Sequence, residues 1–349
     1  MRQFGYIIVA TLVFVSQAIC ADKFIPQSNS SYIDEHGTAH ITRLVPIPKT
    51  ISPEAQKSLA RRASDSDPDP SIAEDRKQGE EEQERLAKEM QSAYPTTLTR
   101  DKIAGVPVRI ITPIDLPKEN QDRILLNVHG GGFQADWGSV SETVPLASLT
   151  KTKVVAVLYR LSPENPFPAA VDDTVAVYKE MLKTYKPQKV VLYGTSAGAM
   201  LTAEVAVRLK QLDLPLPAAL GILSGDGAND MFGDSARIFT LDGLRGPLEI
   251  LKDGQPDPYT GKTNPRDPVL SPQYADLKGM PPTFFLTSER DALLSGTVNL
   301  HRAFVHAGVE TQLIVFDALP HAFWTDFPLP EAAEANQLTA DFFSKHLRK

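Results

Sequence analysis

Hydrophobic residues from about position 100 onward fall into short runs that are separated by longer amphipathic stretches. The runs are rich in β-branched residues and are bounded by Gly, Pro or polar residues, which is typical of buried strands. They occupy residues 106–111, 124–128, 154–158, 190–193, 219–223, 283–286 and 312–316. Helical patterns follow at residues 172–183, 199–209, about 293–307 and about 331–346. This alternation predicts an α/β fold with a mostly parallel sheet, whose core begins near Val106.

Two parts of the chain interrupt the alternation. Residues 21–95 contain Pro46, Pro48, Pro53 and a polar turn cluster at 64–70, and only the charged stretch at 80–90 indicates an exposed helix. A second stretch, at about 225–267, is rich in Gly, Asp and Pro. Because long insertions in an α/β core are usually functional, we expect both parts to cover the core rather than belong to it.

The run at residues 190–193 leads into Gly194-Thr195-Ser196-Ala197-Gly198 and then into a helical pattern. A Gly-x-Ser-x-Gly sequence between strand and helix is typical of a nucleophile elbow, a sharp turn that lifts the serine above the sheet. Its glycines are needed because a Cβ at either position would clash with neighbouring backbone. Ser196 is therefore a candidate nucleophile at a helix N-terminus, where N–H groups stabilise negative charge. The alternative is a glycine-rich turn with an incidental serine.

A second glycine-rich sequence, His129-Gly130-Gly131-Gly132-Phe133, directly follows the predicted strand at 124–128. Consecutive glycines let the backbone approach a ligand with its N–H groups exposed. Such a sequence accompanies Gly-x-Ser-x-Gly in lipases and esterases, where it binds the oxyanion. A plain glycine turn or a phosphate-binding loop is the alternative, although Gly-Lys-Ser/Thr and Gly-x-Gly-x-x-Gly are both absent. We interpret His129 as a structural residue that holds the loop, and not as a base.

A nucleophilic serine needs a general base and an acid that orients the base. Of seven histidines, His129 belongs to the glycine-rich loop, and among the other six only His321 lies in a short loop after a predicted strand, where catalytic residues of α/β proteins gather. The chain order Ser…Asp…His favours an acid after the strand at 283–286, which offers Asp291 and Glu289. Asp291 is preferred because it lies nearer the start of the following helix, and Glu289 is its rival. Either carboxylate could instead cap that helix.

Taken together and in order, these motifs resemble those of the hormone-sensitive-lipase-like branch of the α/β-hydrolases, a family of many bacterial carboxylesterases. The resemblance covers about residues 100–349 and rests on the sequences at 129–133, 159–164, 167–170, 194–198 and 320–321. It implies an α/β-hydrolase fold, with a mostly parallel eight-stranded sheet flanked by helices and a helical cap. Residues 96–349 would form the catalytic domain, while residues 21–95 and the insertion at about 225–267 would form the cap.

By this resemblance the triad consists of Ser196 as nucleophile, Asp291 as acid and His321 as base. The oxyanion hole would take its backbone N–H groups from Gly131, Gly132 and Ala197. The implied activity is that of a serine carboxylesterase that hydrolyses short- to medium-chain esters through an acyl-enzyme, with no metal or organic cofactor. A lactone hydrolase or deacetylase using the same triad is the alternative, and a non-catalytic small-molecule receptor is a more distant one.

Three positions depart from the family pattern. Thr195 stands where many members have Asp, which resembles a subgroup with the sequence Gly-Thr-Ser-Ala-Gly. Ala322 replaces a usual Gly, and Ala292 replaces a usual Pro. We expect these two replacements to shift the geometry of the loops that carry His321 and Asp291 only slightly.

Composition adds limits on partners. The chain has 349 residues, of which 42% are hydrophobic and 23% are charged, so it has ample apolar material for a core. Its formal net charge of −7 argues against a nucleic-acid partner, because binding phosphates requires a basic surface. The expected partner is a small-molecule ester substrate, and formation of a homodimer is left open.

Residues 1–20 have the pattern of a secretory signal peptide. Arg2 is followed by an almost wholly apolar run at 6–15 and then by small residues as far as Ala21. The run is shorter than the ~20 residues that a membrane-spanning helix needs, so no stable membrane insertion is expected after cleavage. The protein is therefore predicted to be exported, either periplasmic or secreted. The single cysteine, Cys20, lies at the cleavage boundary, and a lipoprotein is disfavoured because Gln17 occupies a position where Leu is usual.

Overall fold

The computed structural model describes residues 30–61, 70–231, 233–245 and 257–347. The predicted signal peptide at 1–20, including Cys20, lies outside the described residues, as do parts of both predicted cap segments. The chain divides into two compact units, one up to Ile47 and one from Pro48 onward. Within the described ranges, none of the helices is both long and apolar enough to cross a bilayer.

The first unit, as far as it is described, contains a short antiparallel hairpin. In it β1 (Ser30–Ile33) pairs with β2 (Ala39–Thr42). The Asp34 carboxylate accepts hydrogen bonds from the backbone N–H groups of His36 and Thr38, at 2.9 Å each. Asp therefore favours the turn here because its short side chain can bind backbone groups a few residues further on.

The second unit is an eight-stranded sheet with helices on both faces. The strands are β3 (Thr96–Ile103), β4 (Val106–Pro113), β5 (Ile124–Val128), β6 (Lys153–Val157), β7 (Val190–Thr195), β8 (Ala219–Leu223), β9 (Thr283–Ser288) and β10 (Thr311–Phe316). The helices are α1 (Pro53–Leu59), α2 (Ile72–Glu89), α3 (Val144–Thr150), α4 (Ala169–Met181), α5 (Ala197–Gln211), α6 (Ser235–Ile238), α7 (Leu294–His306) and α8 (Pro330–Leu347). The strand order across the sheet is β10-β9-β8-β7-β5-β6-β4-β3.

Only β4 runs against its neighbours, β3 and β6, while the other adjacent pairs are parallel. The prediction of a mostly parallel eight-stranded sheet is thus confirmed. The expectation that the core begins near Val106 is wrong, because Ile51, Ala55, Leu86 and Met90 already belong to a buried core cluster. The segment that was expected only to cover the core therefore contributes to it, and the sheet itself begins with β3. β3 is an edge strand that is mostly exposed, and its Thr- and charge-rich sequence has no apolar alternation to mark it.

Side chains of the central strands alternate between two apolar layers. In β5, Leu126 and Val128 pack on the face covered by α4 and α5, whereas Leu125 packs on the face covered by α3 and α8. Because both faces are covered, the strand is apolar at four of its five positions instead of alternating with polar residues. The parallel strands β5, β7, β8, β9 and β10 therefore deliver the loops after them to one edge of the sheet, where ligands of α/β folds bind.

The N-terminal part of this unit packs on the rest of it through polar contacts that are partly or fully buried. Arg76 of α2 donates hydrogen bonds to the carbonyl oxygens of Gln134 and Ser162, at 2.8 and 2.9 Å. The amide oxygen of Gln83, also on α2, accepts the backbone N–H groups of Val140 and Ser141 at 2.9 and 3.1 Å. α2 is therefore attached to the segment that follows β5 and the glycine-rich loop.

Candidate active site

The predicted elbow is a sharp turn between β7 and α5. Ser196 has φ 59° and ψ −124°, a conformation that residues with a Cβ rarely adopt. Its backbone N–H donates to the carbonyl oxygen of Leu223 at 3.0 Å, which holds the turn to β8. A Cβ at Gly194 would lie 2.2 Å from the carbonyl oxygen of Val128, and one at Gly198 only 1.9 Å from the same atom. The two glycines are therefore required by the close passage of β5.

The glycine-rich loop lies against this turn. An ideal Cβ at Gly130 would be 3.4 Å from Cβ of Ser196 and 3.0 Å from the carbonyl oxygen of Thr195. Gly131 and Gly132 have φ of 122° and 59°, so the loop needs glycine in this stretch. Within the described ranges, the backbone N–H groups of Gly131 and Gly132 make no hydrogen bond to another backbone group. They remain available to a ligand beside Ser196.

Asp291 and His321 meet at the same edge of the sheet. Oδ1 of Asp291 lies 2.9 Å from Nδ1 of His321, on loops that follow β9 and β10. Asp291 is fully buried, and the His321 side chain is 8% exposed. Nε2 of His321 is buried and has no hydrogen-bond partner in the described structure. The pairing leaves this nitrogen as the one that can accept a proton.

The electrostatics of the pair favour its charged form. Burial alone raises the pKa of Asp291, but the nearby imidazole and the Ser224 hydroxyl outweigh burial and bring that pKa below its ordinary value. Burial alone lowers the pKa of His321, but the negative charge of Asp291 and the hydrogen bond to it outweigh burial and raise that pKa above 6.5. An imidazole with such a partner is a stronger base than a free one.

Within the described residues, Glu289, the rival acid, makes no hydrogen bond or ion pair with His321. Its side chain is exposed, and a hydrogen bond with Asp317, followed by partial burial, raises the pKa of Glu289. Asp291 instead turns inward, and its Oδ1 also accepts the backbone N–H of Leu293 at 2.9 Å. The structure therefore brings together Asp291 and His321 and leaves Glu289 on the surface.

Ser224, a buried serine that the sequence did not indicate, contacts both Asp291 and His321. The Ser224 hydroxyl donates to Oδ2 of Asp291 at 2.5 Å and lies 3.0 Å from Nδ1 of His321. The hydroxyl of Thr287 donates to the same Oδ2 at 3.1 Å. Ser224 directly follows β8, so its position at the carboxyl end of a strand was the only available signal in the sequence.

Glu142 is a second residue that sequence reasoning missed. It is 3% exposed, and its two carboxylate oxygens accept the backbone N–H of Gly130 at 2.8 Å and the side-chain amide of Asn127 at 2.9 Å. Burial raises the pKa of Glu142 to about 7, against the lowering effect of these donors and of a hydrogen bond from the Thr195 hydroxyl. Trp324, three residues after His321, donates to that same hydroxyl at 3.0 Å. One buried carboxyl thus links the glycine-rich loop, the elbow and the histidine loop.

His129 supports the glycine-rich loop, in agreement with its interpretation as a structural residue. Its ring stacks on Tyr159 with 4.3 Å between ring centroids, and its Nδ1 lies 2.8 Å from the carbonyl oxygen of Gly130. The Tyr159 hydroxyl donates to the carbonyl oxygen of His129 at 2.7 Å. Among the residues that the structure describes, no group of three or more His, Cys, Asp or Glu side chains is arranged to hold a metal ion.

Comparison with known proteins places the chain in a family. The sequence profile of a family with the α/β-hydrolase fold matches residues 125–325, and the protein is therefore an α/β-hydrolase. The crystal structure of an esterase from the bacterial hormone-sensitive lipase family superposes with a TM-score of 0.71 at 30% identity, over 85% of this chain and 99% of that one. The protein belongs to this bacterial hormone-sensitive-lipase family, as its motifs predicted.

Other similar proteins carry related names. The crystal structure of the esterase E25 matches with a TM-score of 0.75 at 29% identity, over 88% of this chain and 98% of that chain. An acetyl-hydrolase of Streptomyces hygroscopicus is 32% identical over 240 residues, which are 65% of this chain and 77% of that protein. An esterase of Acinetobacter venetianus is 29% identical over 226 residues, 63% of this chain and 73% of its own length.

Proposed function

We propose that the protein is a serine carboxylesterase that hydrolyses short- to medium-chain carboxylic esters through an acyl-enzyme. The observation that carries the proposal is the buried Asp291–His321 pair, whose Nε2 is unpartnered, at the edge of the sheet that also carries Ser196 in its strained turn. The glycine-rich loop packs against that turn at Gly130, and within the described residues the N–H groups of Gly131 and Gly132 donate to no other backbone group. Nucleophile, base, orienting acid and oxyanion donors are the parts that acyl transfer requires.

In the first half of the reaction, Oγ of Ser196 attacks the ester carbonyl carbon while Nε2 of His321 takes the hydroxyl proton. Asp291 holds the imidazole through Nδ1 and stabilises the imidazolium that forms. The tetrahedral intermediate collapses as His321 returns the proton to the leaving alkoxide, and an alcohol departs. Water then repeats these steps on the acyl-enzyme, with His321 again as base, and releases the carboxylic acid.

The negative oxygen of each tetrahedral intermediate would be bound by the backbone N–H groups of Gly131, Gly132 and Ala197. Ala197 is the first residue of α5, where N–H groups have no intrahelical acceptor. One such donor typically contributes ~3–4 kcal/mol to lowering the barrier. Glu142 would stabilise the oxyanion hole indirectly, because its hydrogen bond from the N–H of Gly130 fixes the start of the glycine-rich loop.

Removal of acetyl groups from an acetyl ester is the second candidate. It is favoured by the name of a similar protein, the Streptomyces acetyl-hydrolase, and it needs no residue beyond those already described. The two candidates differ in the acyl group alone, so a panel of p-nitrophenyl esters and acetylated alcohols separates them. A lactone substrate belongs in the same panel, because the same triad would open a lactone.

The central experiment combines covalent labelling with two substitutions. An organophosphate should attach one phosphoryl group to Ser196 of the purified protein and abolish ester hydrolysis. Ser196→Ala and His321→Ala should each lower kcat by about 10⁴-fold or more while the far-ultraviolet spectrum is unchanged. A variant that retains activity within tenfold of the parent would exclude this assignment. A non-catalytic receptor would resist the label and hydrolyse none of the esters.

The organisation of the chain around this site is part of the proposal. Residues 21–95 and the insertion at about 225–267 would form a cap over the acyl pocket of a catalytic domain at 96–349. The attachment of α2 next to the glycine-rich loop supports a cap role for the first segment. Residues 1–20 would direct export to the periplasm or the medium, and mass spectrometry of protein from its native host should find a mature N-terminus between residues 19 and 22.

A further inference from the structure

The insertion at 225–267 returns to the active site through one buried aromatic residue. The ring of Tyr259 stacks on the ring of Phe133, with 3.4 Å between their centroids and an angle of 3° between their planes. Phe133 is the last residue of the glycine-rich loop. Phe133 is 4% exposed and Tyr259 is 1% exposed. The predicted cap segment therefore touches the loop that would bind the oxyanion.

Tyr259 is fixed by contacts with two further elements. Its hydroxyl donates to Oε2 of Glu204 at 2.5 Å, and Glu204 is fully buried on α5, the helix that begins directly after Ser196. Its carbonyl oxygen accepts the backbone N–H of Phe167 at 2.7 Å, and the Phe167 ring meets the Tyr259 ring edge-on. Because both its backbone and its hydroxyl are held, Tyr259 presents a fixed surface to Phe133.

Phe133 needs such a surface, because its own backbone is strained. It has φ 60° and follows two glycines that also have positive φ, so three successive residues lie in a region that residues with a Cβ avoid. Strained residues keep their conformation only where their surroundings impose it. The carbonyl oxygen of Phe133 is held by the backbone N–H of Ser162 at 2.8 Å, and its side chain is held by Tyr259.

We propose that Tyr259 is a positioning residue for the oxyanion hole: by stacking on Phe133 it keeps the N–H groups of Gly131 and Gly132 directed at the developing negative charge. The proposal rests on the proposed function, since it assigns a supporting contact to the same hole. A small displacement of these donors weakens binding of the transition state more than binding of the neutral ester. The insertion then contributes to catalysis itself and does more than limit the size of the substrate.

Two substitutions separate the stacking from the hydrogen bond. Tyr259→Leu removes both the ring and the hydroxyl, while Tyr259→Phe keeps the ring and removes only the hydroxyl. For p-nitrophenyl acetate we expect kcat of Tyr259→Leu to fall about 10- to 100-fold, the range for a small misplacement of reacting groups, with KM changed less than about threefold. Tyr259→Phe should keep kcat within about threefold of the parent.

A trifluoromethyl ketone, which binds the catalytic serine as a tetrahedral oxyanion, gives a second readout. Its inhibition constant should rise in Tyr259→Leu by the same factor by which kcat/KM falls, as expected of a transition-state analogue. The matched control is Tyr178→Leu, which also removes a buried tyrosine ring and a hydroxyl bound to a carbonyl oxygen, that of Pro215. Tyr178 lies on α4 and, among the described residues, makes no hydrogen bond or ring contact with the glycine-rich loop. Tyr178→Leu should therefore lower Tm without changing kcat at a temperature well below Tm.

The outcomes separate this proposal from the proposed function. If Ser196→Ala is inactive while Tyr259→Leu retains kcat within twofold of the parent, the esterase stands and the positioning role of Tyr259 is wrong. An equal loss of kcat in Tyr178→Leu would also overturn it, because destabilisation alone would then explain the effect. Equal losses in Tyr259→Phe and Tyr259→Leu would reject the stacking contact as the cause. A parent protein that hydrolyses no ester would refute the proposed function itself.

Discussion

The hydroxyl of Ser224 donates a 2.5 Å hydrogen bond to Oδ2 of Asp291, while Oδ1 of the same carboxylate faces His321. The two oxygens of the acid therefore have separate partners, one that fixes the carboxylate and one that the carboxylate orients. Ser224 follows β8, so three neighbouring strands, β8, β9 and β10, each supply one member of this chain of contacts. The orientation of the imidazole thus depends on the register in which β8, β9 and β10 pair with one another.

Ser224→Ala should lower kcat/KM by about tenfold, because the loss of a buried donor leaves Oδ2 of Asp291 bound only by Thr287. In the parent, kcat/KM should fall as the pH falls through the His321 pKa, which lies above 6.5, because the imidazolium cannot accept the serine proton. In the variant this acid limb should move to higher pH, since a carboxylate with one donor fewer attracts the imidazolium more strongly. Ser148→Ala, at a buried serine of α3, is the control and should leave the pH profile unchanged.

Asp291→Asn should lower kcat by about 10⁴-fold, because an amide can no longer hold the imidazole in the required tautomer or stabilise its charged form. Glu289→Gln should change kcat less than threefold, since Glu289 is exposed and interacts with Asp317. Steady-state kinetics on p-nitrophenyl butyrate measure both. The opposite ranking of the two variants would identify Glu289 as the acid of the triad and contradict the observed geometry.

Glu142 should make stability depend on pH. Burial raises the pKa of Glu142 from 4.5 to about 7, so between these values the folded protein binds more protons than the unfolded chain, and its stability falls as the pH rises. This shift corresponds to about 3 kcal/mol in the free energy of unfolding. Glu142→Gln should lose that part of the pH dependence, because glutamine accepts the N–H of Gly130 but does not ionise. Part of the dependence will remain, since burial also raises the pKa of Asp226 to about 7.

Urea unfolding at pH 5 and pH 8 measures this difference for the parent and for Glu142→Gln. Glu331→Gln is the matched control, because Glu331 is a buried carboxylate that accepts hydrogen bonds from Ser52, the N-cap of α1. In the part of the chain that the structure describes, it is hydrogen-bonded to neither the elbow nor the glycine-rich loop. The control should keep the full pH dependence of the parent. If the stability of Glu142→Gln fell between pH 5 and pH 8 as steeply as that of the parent, the prediction that Glu142 titrates in this range would be wrong.

Hydrolysis of p-nitrophenyl esters should be fastest for acyl chains of roughly two to eight carbons and fall steeply for longer chains. A capped pocket has a finite depth, so each added methylene gains ~0.8 kcal/mol of binding only until the pocket is full. Rates measured across a series of chain lengths, below and above the critical micelle concentration, provide the test. A preference for emulsified long-chain triglyceride, with a rise in rate at the lipid surface, would instead indicate a lipase whose cap opens.

The fold could be predicted where packing imposes a pattern on the sequence. β5 and β8 are covered on both faces, and their five-residue, mostly apolar runs predicted the strand boundaries that the structure has. β3 escaped prediction because its exposed edge position requires no apolar residues. Its threonines and the following Ala104-Gly105 turn were the weak signals available.

Residues of the site were predictable where a local sequence imposes the geometry. Ser196 and the glycines around it predict a strained turn, and Asp291 and His321 follow strands in the expected order. Ser224 and Glu142 were missed because each acts through a partner that is distant in sequence or through a backbone group. The Ser224–Asp291 bond, for example, joins residues 67 positions apart, and no short motif records it.

A single backbone atom, the carbonyl oxygen of Val128, excludes a side chain at both Gly194 and Gly198. The glycines of Gly-x-Ser-x-Gly are thus required by the close approach of β5 to β7 and to the start of α5. This requirement is independent of any reaction at Ser196. A library selected only for the amount of folded protein would retain both glycines as strictly as a library selected for hydrolysis, and the two selections would diverge at position 196. Descendants of this chain could therefore lose the enzyme and still carry most of its signature.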